Sequence, residues 1–154
     1  MNLDRLAQLP GHRLIEASLA GTALFAVTAV PAVAGADAFK LPAAVVSLVQ
    51  FVVAIPLSLL ALARAAVRTA RQEDRVTVGG LFFLQGCAPR PVRRLLIGSL
   101  LASLAVTVGT VSGEPFGVLQ PVLPLALCAQ WAARHGTFPR IPDPGTGPAP
   151  RPKG

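Results

Sequence analysis

Four long apolar runs alternate with short polar segments along the chain. The runs cover residues 17–36, 41–63, 95–113 and 115–133, and none of them contains a charged residue. Because a helix rises ~1.5 Å per residue, 19 residues cover about 28 Å, close to the ~30 Å hydrocarbon core of a bilayer. Lipid offers no partner to open backbone groups, so the runs must be helices. The pattern predicts an all-α integral membrane protein with four transmembrane helices.

The basic residues predict how these helices are oriented. Of the 14 Lys and Arg residues, 13 lie in the N-terminal segment, the second connection or the C-terminal tail. Only Lys40 lies in the first connection, and the third connection has none. Because basic loops stay in the cytoplasm, we predict a multi-pass protein of the cytoplasmic membrane with both termini inside. The same rule accounts for the net charge of +7, so we expect no nucleic acid partner.

The chain divides into one membrane domain, residues 1–138, and a C-terminal tail, residues 139–154. Nine of the 16 tail residues are Pro or Gly, a composition that predicts disorder in the cytoplasm. An alternative concerns the N-terminus, where Ala32-Val33-Ala34 resembles a signal-peptide cleavage site. Cleavage there would leave three helices. We favour an uncleaved first helix, because its apolar run is longer than a usual signal core.

The second connection, residues 64–94, is the largest hydrophilic element. Its first arginines are spaced four, three and four residues apart, which places them on one face if the second helix continues. We expect the arginines of this connection to bind anionic lipid headgroups, at ~1 kcal/mol for each basic residue. The apolar piece within 76–89 is too short to span, so it is either re-entrant or surface-lying. The predicted headgroup residues are Arg64, Arg68, Arg71, Arg75, Arg90, Arg93 and Arg94.

Small and polar residues recur at four-residue spacing within the first and third helices. Such faces let helices approach closely and form interhelical hydrogen bonds, and the amide of Gln50 in the second helix needs a partner on a neighbouring helix. The alternative is a polar pore or substrate path, which we consider weaker because no charge joins the stripe. The predicted packing residues are Ser18, Thr22, Gln50, Ser99, Ser103 and Thr107.

The fourth apolar run contains prolines near its outer end and an aromatic residue near its inner end. Gln120-Pro121 and Pro124 predict that its outer part is bent or irregular. Aromatic and basic residues favour the membrane–water interface, so we expect interface anchors at both this end and the second connection. The predicted anchors are Phe82, Phe83, Trp131 and Arg134.

No residue pattern predicts catalytic, metal or cofactor chemistry. Cys128 and His135 are seven residues apart, a rise of ~10 Å along a helix, which is too far for two ligands of one zinc ion. Cys87 adds only a third scattered candidate. A pair of membrane-embedded carboxylates, as in proton pumps, is not present in the sequence. We therefore predict no catalytic residue, no metal site and no cofactor.

Two segments carry a family resemblance. The run GGLFFL at 79–84, followed by Ala88-Pro89, and the run WAARHGTFP at 131–139 resemble an uncharacterised family of small actinobacterial four-helix integral membrane proteins. The resemblance covers most of residues 14–140. It implies four helices, and it implies no activity, because that family has none assigned.

These observations favour a non-enzymatic membrane component, either an accessory subunit or a scaffold that packs with itself or with a larger complex. The reason for this preference is that the chain consists almost wholly of helices with small-residue faces. A small transporter or channel subunit is the first alternative, with selection at segment 76–89 and the fourth helix. A binder of anionic phospholipid headgroups, or an enzyme that modifies lipids, is the second.

Overall fold

The computed structural model describes residues 9–71, 76–113 and 115–138. Within these ranges all regular structure is helical, and four helical segments are long and apolar enough to cross a membrane. The prediction of an all-α fold with four such helices is therefore confirmed. The predicted disordered tail, residues 139–154, and Arg75 lie outside the described residues.

The helices follow one another with short connections. Helix α1 leads through a 3₁₀ turn at Asp37–Phe39 into α2, and a short helix α3 precedes α4. A second 3₁₀ turn at Pro115–Leu119 precedes α5. The bounds are α1 His12–Val33, α2 Lys40–Ala70, α3 Val78–Phe83, α4 Arg90–Thr110 and α5 Val122–His135.

All four long helices extend beyond their charge-free runs at the end rich in arginine, α5 by only two residues, to His135. Helix α1 begins at His12 instead of residue 17, α2 continues past residue 63 to Ala70, and α4 begins at Arg90 instead of residue 95. Arginine is a good helix former, so charge ends the predicted membrane run without ending the helix. The sequence therefore located the apolar runs correctly but predicted helices that are too short at the end rich in arginine.

The four long helices form a bundle with a diamond-shaped cross-section. Helices α1 and α5 each pack against all three other long helices, whereas α2 and α4 lie on opposite sides. We call one end of the bundle the arginine end: α1 and α4 begin there, and α2 and α5 end there. The other end, which holds the two 3₁₀ turns, is the turn end.

Helix α5 occupies the interior of the bundle. In the most apolar window of the segment Pro115–His135, which comprises the second 3₁₀ turn and α5, 67% of the residues are buried, against 22% in the segment Asp37–Ala70 that contains α2. Gln120 and Pro121 separate the second 3₁₀ turn, which ends at Leu119, from α5, which begins at Val122. The prediction of an irregular outer part is confirmed, and the cause is that proline lacks the N–H that would continue the helix.

The apolar core is largest at the arginine end. There, Trp131 of α5 is fully buried together with Ile15 of α1, Leu84 after α3 and Leu96 of α4. A smaller cluster around Leu123 and Leu127 continues the core toward the turn end. Burial of these side chains stabilises the packing at the arginine end of the bundle. Most of the polar contacts described below also lie at this end.

Candidate functional site

Helices α1 and α4 are joined by buried hydroxyl groups. The hydroxyl oxygen of Ser99 lies 2.7 Å from that of Ser18 and 3.0 Å from that of Thr22. It also lies 3.1 Å from the backbone carbonyl oxygen of Ser18. One serine of α4 therefore contacts two successive turns of α1, which is possible only because small side chains let the helices approach closely.

Ser103 and Thr107 continue the buried stripe along α4 with different partners. Ser103 donates to the carbonyl of Leu100 in its own helix at 2.9 Å. Thr107 donates to the carbonyl of Gly117 in the second 3₁₀ turn at 3.1 Å. Both side chains are buried, but only Thr107 ties α4 to another element by a hydrogen bond.

An amide chain connects three elements near the turn end. Gln50 of α2 donates through Nε2 to the carbonyl of Gly21 in α1 at 3.0 Å. Gln120, at the break before α5, donates through Nε2 to Oε1 of Gln50 at 3.2 Å. The oxygen Oε1 of the fully buried Gln120 has no partner among the described residues. Gln50 therefore has the expected partner on a neighbouring helix. The hydrogen-bonded amides also include Gln120, which was not among the predicted packing residues.

A second amide joins α5 to α2 at the arginine end. The side chain of Gln130 is fully buried and accepts a hydrogen bond from Nη1 of Arg64 at 2.7 Å. Its Nε2 donates to the carbonyl of Leu57 at 2.6 Å. Sequence reasoning missed Gln120 and Gln130, although both carry the signal that selected Gln50, an amide within an apolar run.

Arg68 lies against the C-terminal end of α5. Its guanidinium lies 3.4 Å from the carbonyl of Ala133 and 3.3–3.4 Å from that of Gly136, and 5.4 Å from the centre of the Phe138 ring. A helix ends with unpaired carbonyls and a partial negative charge, so a cation is favourable there. Arg64 and Arg68 therefore contact protein groups, and headgroup binding by them stays a prediction.

Trp131 differs from the expected interface anchor. Its side chain is fully buried, and Nε1 donates to the carbonyl of Pro10 at 2.7 Å. A tryptophan anchor needs its ring in the lipid headgroup region, whereas this ring is covered by protein. Gly11 has φ +70°, and a Cβ there would lie 2.8 Å from the Trp131 ring, so the N-terminal segment reaches the ring only because residue 11 lacks a side chain. The expected anchor is instead a core residue.

The two segments that carry the family resemblance pack against each other. Thr77 caps α3 by accepting a hydrogen bond from the Gly80 N–H at 3.1 Å, and Leu81 and Leu84 are buried against α5. The Thr137 N–H donates to the carbonyl of Cys87 at 3.1 Å. A Cβ at Gly80 would lie 2.8 Å from the Phe138 ring. Segment 76–89 therefore closes the arginine end of the bundle.

The other predicted anchors and headgroup residues lie toward the outside of the bundle. Phe82 is half-buried and Phe83 is exposed. Arg71 follows the last residue of α2, and its side chain is exposed. The exposed arginines near this end also include Arg90, Arg93, Arg94 and Arg134. The predicted set of headgroup arginines thus separates into an inward pair, Arg64 and Arg68, and an outward group.

The cysteines are buried at separate places in the core. The thiol of Cys87 donates to the carbonyl of Gly80 at 3.1 Å. Burial raises the pKa of the Cys87 thiol, and the positive charges of Arg68 and Arg93 act in the opposite direction. Among the described residues, no three His, Cys, Asp or Glu side chains come together as metal ligands.

The arrangement as a whole joins helices: its polar groups hold α1 to α4, α2 to α5, and segment 76–89 to the end of α5. The chain matches no protein-family model, no curated protein and no solved structure. The resemblance to the actinobacterial membrane family therefore stays a prediction.

Proposed function

We propose that the chain is a multi-pass protein of the cytoplasmic membrane whose arginine end and termini face the cytoplasm. Four helices of suitable length and apolarity support the insertion. The basic residues support the orientation, because the arginine end gathers the arginines of α1, α2, α4 and α5 whereas Lys40 lies at the turn end in an ion pair with Asp37, 2.6 Å apart.

Within that membrane the proposed role is structural: an accessory subunit or scaffold that acts without catalysis. The observation that carries this proposal is the use of the polar side chains inside the bundle. Ser18, Thr22 and Ser99, the Gln50–Gln120 pair and the Arg64–Gln130 pair all form hydrogen bonds between elements. Polar groups that hold helices together serve assembly, and the outer surface is mostly apolar.

Native mass spectrometry of the tagged protein, extracted gently from its own membrane, tests this role. We expect the tagged protein to be accompanied by a second membrane protein, or by further copies of itself, in a fixed stoichiometry. We also expect that deleting the chain lowers the abundance of a heteromeric partner, since a subunit that has lost its neighbour is degraded. The same tag on an unrelated four-helix membrane protein is the control. A monomer with no stoichiometric companion would contradict the proposal.

A further inference from the structure

Helix α4 begins with three exposed arginines beside an open apolar groove. The groove has a volume of about 430 Å³. Arg90, Arg93 and Arg94 lie at its charged end, and Ile97, Gly98 and Leu101 line the rest. The groove lies on the outer surface of the bundle, where a bilayer lipid would contact α4 in the proposed topology.

The order of these residues along the helix matches the order of groups in a phospholipid. Arg90, Arg94, Gly98 and Leu101 follow one another at spacings of four, four and three residues, so they form one stripe on α4. From Arg94 to Leu101 the helix rises ~10 Å into the apolar run. A lipid phosphate at the arginines therefore leaves one acyl chain beside Ile97 and Leu101.

Gly98 gives the groove its depth. A Cβ added at Gly98 would meet no atom within 4 Å, so internal packing does not require glycine at this position. Glycine in the interior of a helix is less favourable than alanine. The missing side chain leaves a notch on the lipid-facing surface, in line with the three arginines.

The charge at this end of α4 also favours an anion. A helix N-terminus carries a partial positive charge, so cations there are unfavourable and anions favourable. The first turn of α4 has no acidic residue and no side-chain cap. Within the described ranges, the guanidinium groups of these three arginines are exposed and donate no hydrogen bond to protein. An anionic group among them would offset both the arginine charges and the helix dipole.

A second groove at the same end shows what sets this one apart. It is lined by Ala63, Arg64, Val67, Arg68 and Ala133 and has a similar volume of about 380 Å³. Its arginines already donate to Gln130 and to the carbonyls at the end of α5. Of these two grooves among the described residues, the α4 groove is the one that combines an apolar channel with exposed arginines that donate no side-chain hydrogen bond to protein.

We infer that the α4 groove binds an anionic glycerophospholipid. The phosphate lies among Arg90, Arg93 and Arg94, and one acyl chain lies along Ile97 and Leu101 over Gly98. The inference rests on the proposed membrane topology. It adds to that topology a site for one lipid class, in place of a general attraction of all basic residues to the membrane surface.

The test uses the full chain in nanodiscs that contain equal amounts of phosphatidylglycerol and phosphatidylcholine, with retained lipids counted by native mass spectrometry. Gly98→Leu fills the notch, and Arg94→Gln removes one phosphate donor. The matched controls are Gly109→Leu, at the other helical glycine of α4 with nothing within 4 Å of an added Cβ, and Arg13→Gln, an exposed arginine at the start of α1.

We expect the wild type to retain phosphatidylglycerol in preference to phosphatidylcholine. Arg94→Gln lowers that retention about tenfold, the effect of losing one charge-assisted hydrogen bond to the phosphate. Gly98→Leu lowers it at least as much, and both controls retain the wild-type level. Millimolar inorganic phosphate leaves the lipid in place, because phosphate alone has no acyl chain to occupy the groove.

Four results would overturn the inference: no preference for phosphatidylglycerol, unchanged retention in Gly98→Leu, an equal loss in Arg13→Gln, or displacement by inorganic phosphate. Carbonate extraction of the same protein from membranes separates this failure from failure of the topology. A chain that resists extraction but shows no lipid preference contradicts the lipid site alone. A chain released by carbonate contradicts the membrane topology itself.

Discussion

The hydroxyl oxygens of Ser18 and Ser99 lie 2.7 Å apart where α1 packs against α4, 81 residues apart in the chain. Thr22 reaches the same Ser99 oxygen from the next turn of α1. Such a contact needs both helices to carry small side chains at the same height. It is the shortest direct link between the first and third long helices, and it makes Ser99 the residue through which their packing is most easily tested.

Replacing Ser99 with alanine removes the shared hydroxyl and leaves Ser18 and Thr22 without it. We expect a loss of about 0.6 kcal/mol and at most about 1.7 kcal/mol in the free energy of unfolding, the mean and the maximum measured for hydrogen bonds between membrane helices. Unfolding by denaturing detergent measures it. Ser112→Ala, at an exposed position just beyond α4, is the control. Equal stability of the Ser99 and Ser112 variants would contradict the role given to this contact.

The Arg64–Gln130 pair predicts strong coupling between α2 and α5. Gln130→Leu removes the acceptor at 2.7 Å from the guanidinium, and Arg64→Met removes the donor. A double-mutant cycle should give a coupling energy of about 1.5–3 kcal/mol, because the hydrogen bond involves a charged group. Arg71→Met, at an exposed arginine, should show no coupling to Gln130→Leu. Additive effects of the Arg64 and Gln130 substitutions would show that the pair is not formed.

Gly11 and Gly86 allow backbone strain and steric clash to be separated. Both have φ near +70°, but an added Cβ lies 2.8 Å from the Trp131 ring at Gly11 and meets nothing within 4 Å at Gly86. Gly86→Ala should cost about 1–2 kcal/mol, the price of the left-handed conformation. Gly11→Ala should cost more, and it should shift the emission of the single tryptophan to longer wavelength. A Gly11→Ala variant with unchanged emission and the stability of Gly86→Ala would contradict the packing at Trp131.

Cys87 lies outside the membrane-spanning segments, and its buried thiol predicts that folding stability and the alkylation rate depend on pH. Its pKa is raised above the ordinary value of 9.0, chiefly by burial, so the folded chain favours the neutral thiol. The stability contributed by this group is full below 9.0 and is lost as the pH rises through the higher folded pKa. In a Cys128→Ala background, alkylation by iodoacetamide should reach its half-maximal rate above the pH found for the unfolded chain.

Phe138→Ala removes a ring that packs in the same cluster as Cys87 and should speed this alkylation. Phe83→Ala, at an exposed phenylalanine of α3, should leave the rate unchanged. If alkylation of the folded and unfolded chains showed the same pH midpoint, the thiol would not be buried as described.

The sequence predicted those features that depend on local pattern. Charge-free runs gave four helices, and Gln120-Pro121 gave the break before α5, because each is decided within a few neighbouring residues. The need of Gln50 for a neighbouring helix also followed from its place in an apolar run. Pairings across the bundle did not follow, since Trp131 and Pro10 are 121 residues apart and no local signal joins them.

The arginines show the same limit for the candidate site. Their spacing indicated a common face but not whether that face contacts lipid or protein. Arg64 and Arg68 point to acceptors of α5 because Gln130 and the end of that helix lie beside them, a fact of tertiary packing. Arg90, Arg93 and Arg94 begin a helix on the other side of the diamond and remain exposed. Only the arrangement of helices divides one basic connection into two groups.

Cysteine labelling in whole cells tests the proposed topology most directly. Ala38→Cys places a thiol at the exposed first 3₁₀ turn, and Ala70→Cys places one at the exposed end of α2, while the native cysteines are buried and provide a low background. We expect a membrane-impermeant maleimide to label Ala38→Cys in intact cells and to label Ala70→Cys only after lysis. Labelling of Ala70→Cys in intact cells, with Ala38→Cys protected until lysis, would contradict the proposed topology.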